Sequence, residues 1–143
     1  MKILLIHNYY GNYYQGGEAN VFNNEAKLLE DYGHSVKKII CSNFDFFEYS
    51  FIKKIYALIN FFWSWTFFFK VYYEIKYFRP DIIHVHNIWF LISPSIFLAA
   101  KLHKCPVIVT VHNYRYICPA GQLLHNNEIC EDCLGTIFKL KIL

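Results

Sequence analysis

The residues of this chain that could do chemistry fall into three polar groups, one glycine pair and one cysteine group. His7 and Asn8 close one apolar run, His84, His86 and Asn87 close a second, and His112, Asn113 and Arg115 follow a third. Imidazoles and amides in such places orient hydroxyls, accept a proton or ligate a metal. A single histidine is more often a hydrogen-bonded, partly buried residue, and that ordinary reading stands for His7 and His103. It weakens when three strand ends carry the same chemistry. Side-chain alternation along a strand puts His84 and His86 on one face. Gly16 and Gly17 come just before a helical pattern, where uncovered backbone amides suit a phosphate or diphosphate; the ordinary reading of the pair is a flexible turn. Gly11 and Gly16 have Walker-like spacing, but Gly17-Glu18 stands where Lys-Ser/Thr is needed, which excludes an ATPase loop. No G-x-G-x-x-G is present, so the dinucleotide fingerprint is missing as well.

Cys118, Cys130 and Cys133 follow a C-x11-C-x2-C pattern. The C-x-x-C pair has chelating spacing, Cys118 could add a third thiolate, and His112 or His125 could complete a tetrahedral zinc site. No fixed fourth ligand is evident, so unmetallated thiols in a tight loop are the leading expectation. A thioredoxin-like redox pair is disfavoured because Cys130 and Cys133 lie in a loop region. Cys41 and Cys105 read as singles.

The elements that must position these groups are legible from periodicity. Lys2 to His7 reads as a strand buried on both faces. A polar loop from Asn8 to Gly17 leads to a helix from about Glu18 to Tyr32, with Phe22, Ala26 and Leu29 on its apolar stripe. Gly33 stands where a helix C-terminal glycine belongs. Val36 to Cys41 is a second strand. Phe51 to Phe78 is helical with one break, and Pro80 stops it. Asp81 to His86 is a third strand. Ser93 and Pro94 open a helix to about His103, with Ser93 as N-cap and Pro94 at the first position. Val107 to His112 is a fourth strand. The order β-α-β-α-β-α-β predicts an α/β fold: a Rossmann-like parallel sheet with helices on both faces. Ligands of such sheets sit at the strands' carboxyl ends, near a topological switch point. The apolar tail after Gly135 predicts that one domain covers 1–143 and is incomplete at its C-terminal end.

Composition sets the bounds. Hydrophobic residues are 55% and charged residues 17% of the 143, against a usual charged share of about 25%, which excludes disorder for most of the chain. Aromatic residues reach 20%, more apolar bulk than so small a domain easily buries, so some of it should face a partner domain or a membrane surface. The net charge is +3, with no basic run longer than Lys37-Lys38 or Lys53-Lys54; nothing marks a nucleic-acid surface. The apolar run Ile3 to Ile6 is too short for the core of a secretory signal, so reduced thiols in the cytoplasm are expected. Ile55 to Phe69 carries no charge and is bounded by Lys54 and Lys70. As a helix it would be about 22 Å long, short of a bilayer core of about 30 Å. Buried helices are the leading reading. A helix lying in the membrane interface is second, with Trp63, Trp65 and the flanking lysines suited to it.

Three segments together resemble the N-terminal, acceptor-binding domain of family 4 glycosyltransferases with the GT-B fold. They are Gly16 to Val36 (GGEANVFNNEAKLLEDYGHSV), Arg79 to Ala100 (RPDIIHVHNIWFLISPSIFLAA), and Val107 to Gly135 (VIVTVHNYRYICPAGQLLHNNEICEDCLG). The resemblance covers nearly the whole chain. It implies the acceptor-binding half of a two-domain retaining transferase, in which a nucleotide sugar lies in the cleft between Rossmann-like domains. It carries the diphosphate- and acceptor-approaching loop onto Gly16 and Gly17. The catalytic histidine near the transferred sugar falls on His112. The acceptor side falls on His86 and Asn87, with Asn113 and Arg115 as further substrate contacts. The resemblance implies no required cofactor. It implies a saccharide or lipid-linked acceptor in surface polysaccharide synthesis and a cytoplasmic protein, peripheral at the inner membrane face. The C-terminal nucleotide-sugar domain, with its paired glutamates, is expected to be absent from these residues, which leaves the chain inactive alone. From a different class, the alternative is a non-catalytic binding module stabilised by a structural zinc on Cys118, Cys130 and Cys133. The glycosyltransferase reading expects Gly16, Gly17, His86 and His112 to share one crevice.

Overall fold

A computed structural model of the chain describes residues 1–11, 16–43, 50–51, 55, 62–89, 91–118 and 120–132. It divides into two compact units, Met1–Thr110 and Val111–Leu143. In the first unit the order is β1 (Lys2–Tyr9), α1 (Gly17–Asp31), β2 (Ser35–Ser42), α2 (Trp65–Phe78), β3 (Ile82–Asn87), α3 (Ser95–Leu102) and β4 (Val107–Val109). The four strands form one parallel sheet in the order β2-β1-β3-β4, the Rossmann-like arrangement expected from the alternation.

β1 is central, and its burial follows from that position: Ile3 to Tyr9 are all buried. Alternation then divides the core. Leu4 and Ile6 join Ile39, Ile83 and Val85 beneath α2 and α3, which contribute Phe68, Val71, Ile75, Ile96, Ala99 and Ala100. Ile3, Leu5 and Tyr9 meet Ala19, Phe22 and Ala26 of α1 on the other face. Each large side chain so buried is worth about 1.5–3 kcal/mol.

The helix ends follow local chemistry. Gly16 precedes α1 at φ 102 and ψ 159, a region open essentially to glycine alone. At the other end Gly33 takes φ 80. Its N–H reaches the Glu30 carbonyl and the His34 N–H reaches Leu29, which is the Schellman closure. Ser64 caps α2 by accepting the Phe67 N–H at 3.3 Å, and left-handed Arg79 with Pro80 behind it ends that helix. α2 thus begins inside the uncharged stretch Ile55 to Phe69. Residues 56–61 of that stretch lie outside the described residues.

Several boundaries differ from the sequence reading, three of them with a clear local cause. β1 continues to Tyr9 because β2 extends alongside it, pairing Asn8 with Cys41 and Tyr9 with Ser42; a polar Asn8 is tolerated there because its amide is bonded. β4 stops at Val109 instead of reaching His112: the Thr110 N–H makes one last bond to the Val85 carbonyl, and the β3–β4 ladder spans only three residue pairs. α3 starts at Ser95, with Pro94 in the capping position, although Ser93 Oγ still accepts the Ser95 N–H at 3.3 Å.

The second unit carries an antiparallel hairpin, β5 (Leu124–His125) with β6 (Glu128–Ile129). Asn126 and Asn127 turn it at φ 50 and φ 62, the left-handed pair that a two-residue type I′ loop needs.

Candidate functional site at the carboxyl ends of β1 and β3

The sheet order reverses at β1, whose two neighbours are β2 and β3. The chain leaves β1 for α1 on one face and leaves β3 for α3 on the other. The carboxyl ends of β1 and β3 are therefore the topological switch point of the sheet, the place where ligands of such sheets bind. α1 points its N-terminus toward this edge. Glu18, in the first turn, accepts a hydrogen bond from Asn87 Nδ2 at 3.4 Å, which ties the Gly16–Gly17 loop to the end of β3. The N-cap residue of α1, Gly16, has no side chain with which to cap it.

Bonded amides form a floor at this edge. Asn8 Nδ2 donates to Asn43 Oδ1 at 2.8 Å and also to the Trp89 carbonyl. The Cys41 thiol donates to Asn8 Oδ1 at 2.8 Å. Asn87 Nδ2 donates to the Asn8 carbonyl at 2.9 Å, and the Trp89 N–H returns to Asn87 Oδ1 at 2.8 Å. The end of β1 and the segments that follow β2 and β3 are thereby fastened to one another. Asn8 and Asn87 are buried, and burying such amides is affordable only because they are bonded. Tyr10, next after β1, and Trp89, two residues beyond β3, are exposed.

Beneath the floor, on the α1 side, lies a cluster of three ionisable groups. Glu25 Oε1 is 2.6 Å from His84 Nδ1, and Glu25 Oε2 is 3.3 Å from His86 Nε2. His84 Nε2 is 2.7 Å from Thr110 Oγ1. The two imidazoles face each other at 4.4 Å between ring centres. Phe22 meets the His86 ring edge-on at 5.3 Å and stacks on His7 at 4.8 Å. His84 and His86 share the α1 face, as alternation requires. A register shift in the β1–β3 ladder, where His7 pairs with Asn87, leaves His86 outside the pairing.

Gly16, Gly17, His86 and Asn87 are thus all in the first unit, around the start of α1 and the end of β3. His112, Asn113 and Arg115 belong to the second unit. There Asn113 Oδ1 accepts the Arg115 N–H at 3.1 Å, and a turn from Tyr114 to Cys118 closes with the Cys118 N–H on the Tyr114 carbonyl. The Arg115 side chain lies against Gly121, where a Cβ would come within 3.0 Å of it. Cys118 is buried and Cys130 is half-buried, both free thiols; Cys133 lies outside the described residues. Backbone N–H groups, that of Leu123 first, then Gln122, Gly121 and Ala120, pull the Cys118 thiol below its usual range against the opposing effect of burial.

Sequence reasoning missed Glu25 and the Asn8–Asn43–Trp89 connection. Glu25 had a signal: it falls three residues after Phe22 and four before Leu29, inside the stripe that faces the sheet. A carboxylate on an inward stripe needs a partner, and His84 and His86 were the candidates. The Trp89 connection had none, since it runs through a backbone carbonyl.

Among the described residues no helix is long and apolar enough to cross a membrane. Compared with models of known protein families, the chain matches Glycosyltransferase Family 4 over residues 15–127. No curated protein and no solved structure matches it.

Proposed function

The chain belongs to glycosyltransferase family 4, and from that membership we propose that it is the acceptor-binding half of a retaining transferase. The observation that carries this reading is the topological switch point between β1 and β3, with the glycine-opened start of α1 beside it. In this reading a nucleotide sugar is the donor, and a saccharide or lipid-linked saccharide of a surface glycan is the acceptor. The bond from the anomeric carbon to the diphosphate oxygen breaks, and a bond from that carbon to an acceptor hydroxyl forms. The nucleoside diphosphate leaves, and the acceptor hydroxyl's proton passes to its departing oxygen.

Each residue has a part in that proposal. Gly16 and Gly17 let the backbone approach the diphosphate and the acceptor, and the α1 N-terminus favours the negative charge there. His86 and Asn87 shape the acceptor side from below, since both are buried and Asn87 is engaged by Asn8 and Trp89. Tyr10 and Trp89 expose aromatic side chains at the same edge, suited to packing against a sugar ring. His112 is the proposed catalytic residue, with Asn113 and Arg115 as substrate contacts. A second, nucleotide-sugar-binding domain supplies the dipoles and charges that stabilise the departing diphosphate. No cofactor is required.

The test is a titration of the isolated chain with oligosaccharide and lipid-linked acceptors, together with a transfer assay over a panel of nucleotide sugars. We expect acceptor binding that weakens about tenfold in Trp89→Ala, a loss typical of one aromatic contact of about 1.5 kcal/mol. We expect no transfer until a nucleotide-binding domain is added. Turnover by the isolated chain would overturn the half-enzyme reading.

A second surface is favoured by one observation. Trp65, Phe69, Tyr73 and Tyr77 stand one turn apart on α2, successive rings stacked at 5.9, 6.3 and 6.2 Å. They are 48–73% exposed, with Lys70 and Lys76 exposed on the same helix. We propose that this row seats the protein peripherally on the inner face of an anionic membrane, on the cytoplasmic side.

A further inference from the structure

We propose that Glu25, His84 and His86 form a binding site for a single zinc-class divalent cation. The site lies between α1 and β3, within the first unit, and uses none of Cys118, Cys130 and Cys133. One ligand atom from each residue lies within 4.8 Å of the others. A tetrahedral zinc ion with bonds of about 2.0–2.1 Å holds its ligands about 3.3 Å apart, and the Glu25 Oε2 to His86 Nε2 separation is 3.3 Å. The carboxylate's other oxygen, Oε1, lies 2.6 Å from His84 Nδ1; with Oε2 as the single carboxylate ligand, Oε1 would move off Nδ1 so that this nitrogen faces the ion. The chelating pair comes from one strand face at i and i+2, and the carboxylate comes from the helix packed on that face.

The surroundings suit a metal ion. A metal on His84 Nδ1 leaves the proton on Nε2, and Thr110 Oγ1 stands 2.7 Å away to accept it. That is the outer partner which fixes ring orientation in metal sites. Phe22 and His7 brace the His86 ring. The His86 side chain has no exposure, while His84 and Glu25 are 15% and 28% exposed. The ion would therefore be seated on a fixed imidazole and reached from the Glu25 side. Two imidazoles and one carboxylate select zinc, cobalt or nickel over magnesium or calcium, which prefer all-oxygen shells. Three protein ligands leave a fourth position for water. The ion would pin α1, and with it the Gly16–Gly17 loop, to the sheet.

The experiment is calorimetric titration of the full chain with zinc alone after chelator treatment. It is repeated in a variant with Cys118→Ser, Cys130→Ser and Cys133→Ser to remove thiolate binding. One zinc ion should bind in both. Glu25→Gln and His84→Asn should each weaken binding about 100-fold, and Thr110→Val about tenfold, the range expected for outer-shell loss. Nuclear magnetic resonance of the imidazole nitrogens in the unmutated chain needs no folding of a variant: zinc should shift the His84 and His86 signals together. Cobalt in the cysteine-free variant should bind with ligand-field bands and no thiolate charge-transfer band. Unmoved His84 and His86 signals, or zinc binding that vanishes with the cysteines, would overturn the proposal.

Discussion

At the residue scale, the same side-chain type does different work according to its backbone neighbours. Cys118 faces backbone N–H groups of residues 120 to 123, which hold its thiolate and lower its pKa; burial and then the charge of Asp81 raise that of Cys105. The direction gives a pH prediction. A lowered pKa keeps the thiolate present at lower pH, and a raised one delays it to higher pH. Alkylation by iodoacetamide, followed site by site by mass spectrometry, should therefore give Cys118 a pH midpoint below that of Cys105. Equal midpoints would remove the amide cradle from the account. The histidines make the same point. His84 and His86 were legible as a pair from their spacing, because a strand has a period of two. What they pair with was not, because Glu25 is distant in sequence and reaches them only once α1 lies on the sheet.

At the element scale, helix starts carry more of the fold than their length suggests. Ser93 Oγ accepts the Ser64 N–H at 2.7 Å and the Ser95 N–H at 3.3 Å, and donates to Ser95 Oγ at 2.7 Å. The Ser95 hydroxyl in turn donates to the Ser64 carbonyl at 2.8 Å. All three serines are buried, and together they join the start of α2 to the start of α3. Ser93→Ala leaves a buried N–H without its acceptor, so urea unfolding of the intact chain should show a loss of about 1–3 kcal/mol. A loss below about 0.5 kcal/mol, the size of an ordinary surface change, would mean water replaces the hydroxyl. The sequence marked Ser93 as a cap from its place before Pro94, a local signal. Its service to Ser64 is not local and could not be read. Strand ends follow the same rule. The extra reach of β1 to Tyr9 and the early stop of β4 at Val109 depend on what the neighbouring strand offers, so apolar runs alone placed them two or three residues off.

At the scale of the whole molecule, the aromatic excess finds a location. The row from Trp65 to Tyr77 on α2 turns outward while Phe68, Val71 and Ile75 of the same helix fill the core. Flotation with vesicles rich in anionic lipid should recover the chain. Trp65→Ser combined with Phe69→Ser should reduce the bound fraction about tenfold or more, since each buried aromatic contributes apolar area to the interface. Unchanged flotation sinks the membrane role and leaves the row to another partner. The sequence by itself determined the α/β alternation, the helix stops at Gly33 and Pro80, the strand on which two histidines share a face, and the family. These are consequences of short-range periodicity and backbone preference, which the order of residues states directly. Only the tertiary structure decided that β1 lies between β2 and β3, that Asn8 fastens Asn43 and Trp89, and that Glu25 meets His84 and His86. Those contacts join residues dozens of positions apart, and burial between packed layers, with its demand that every covered polar group find a partner, selects them.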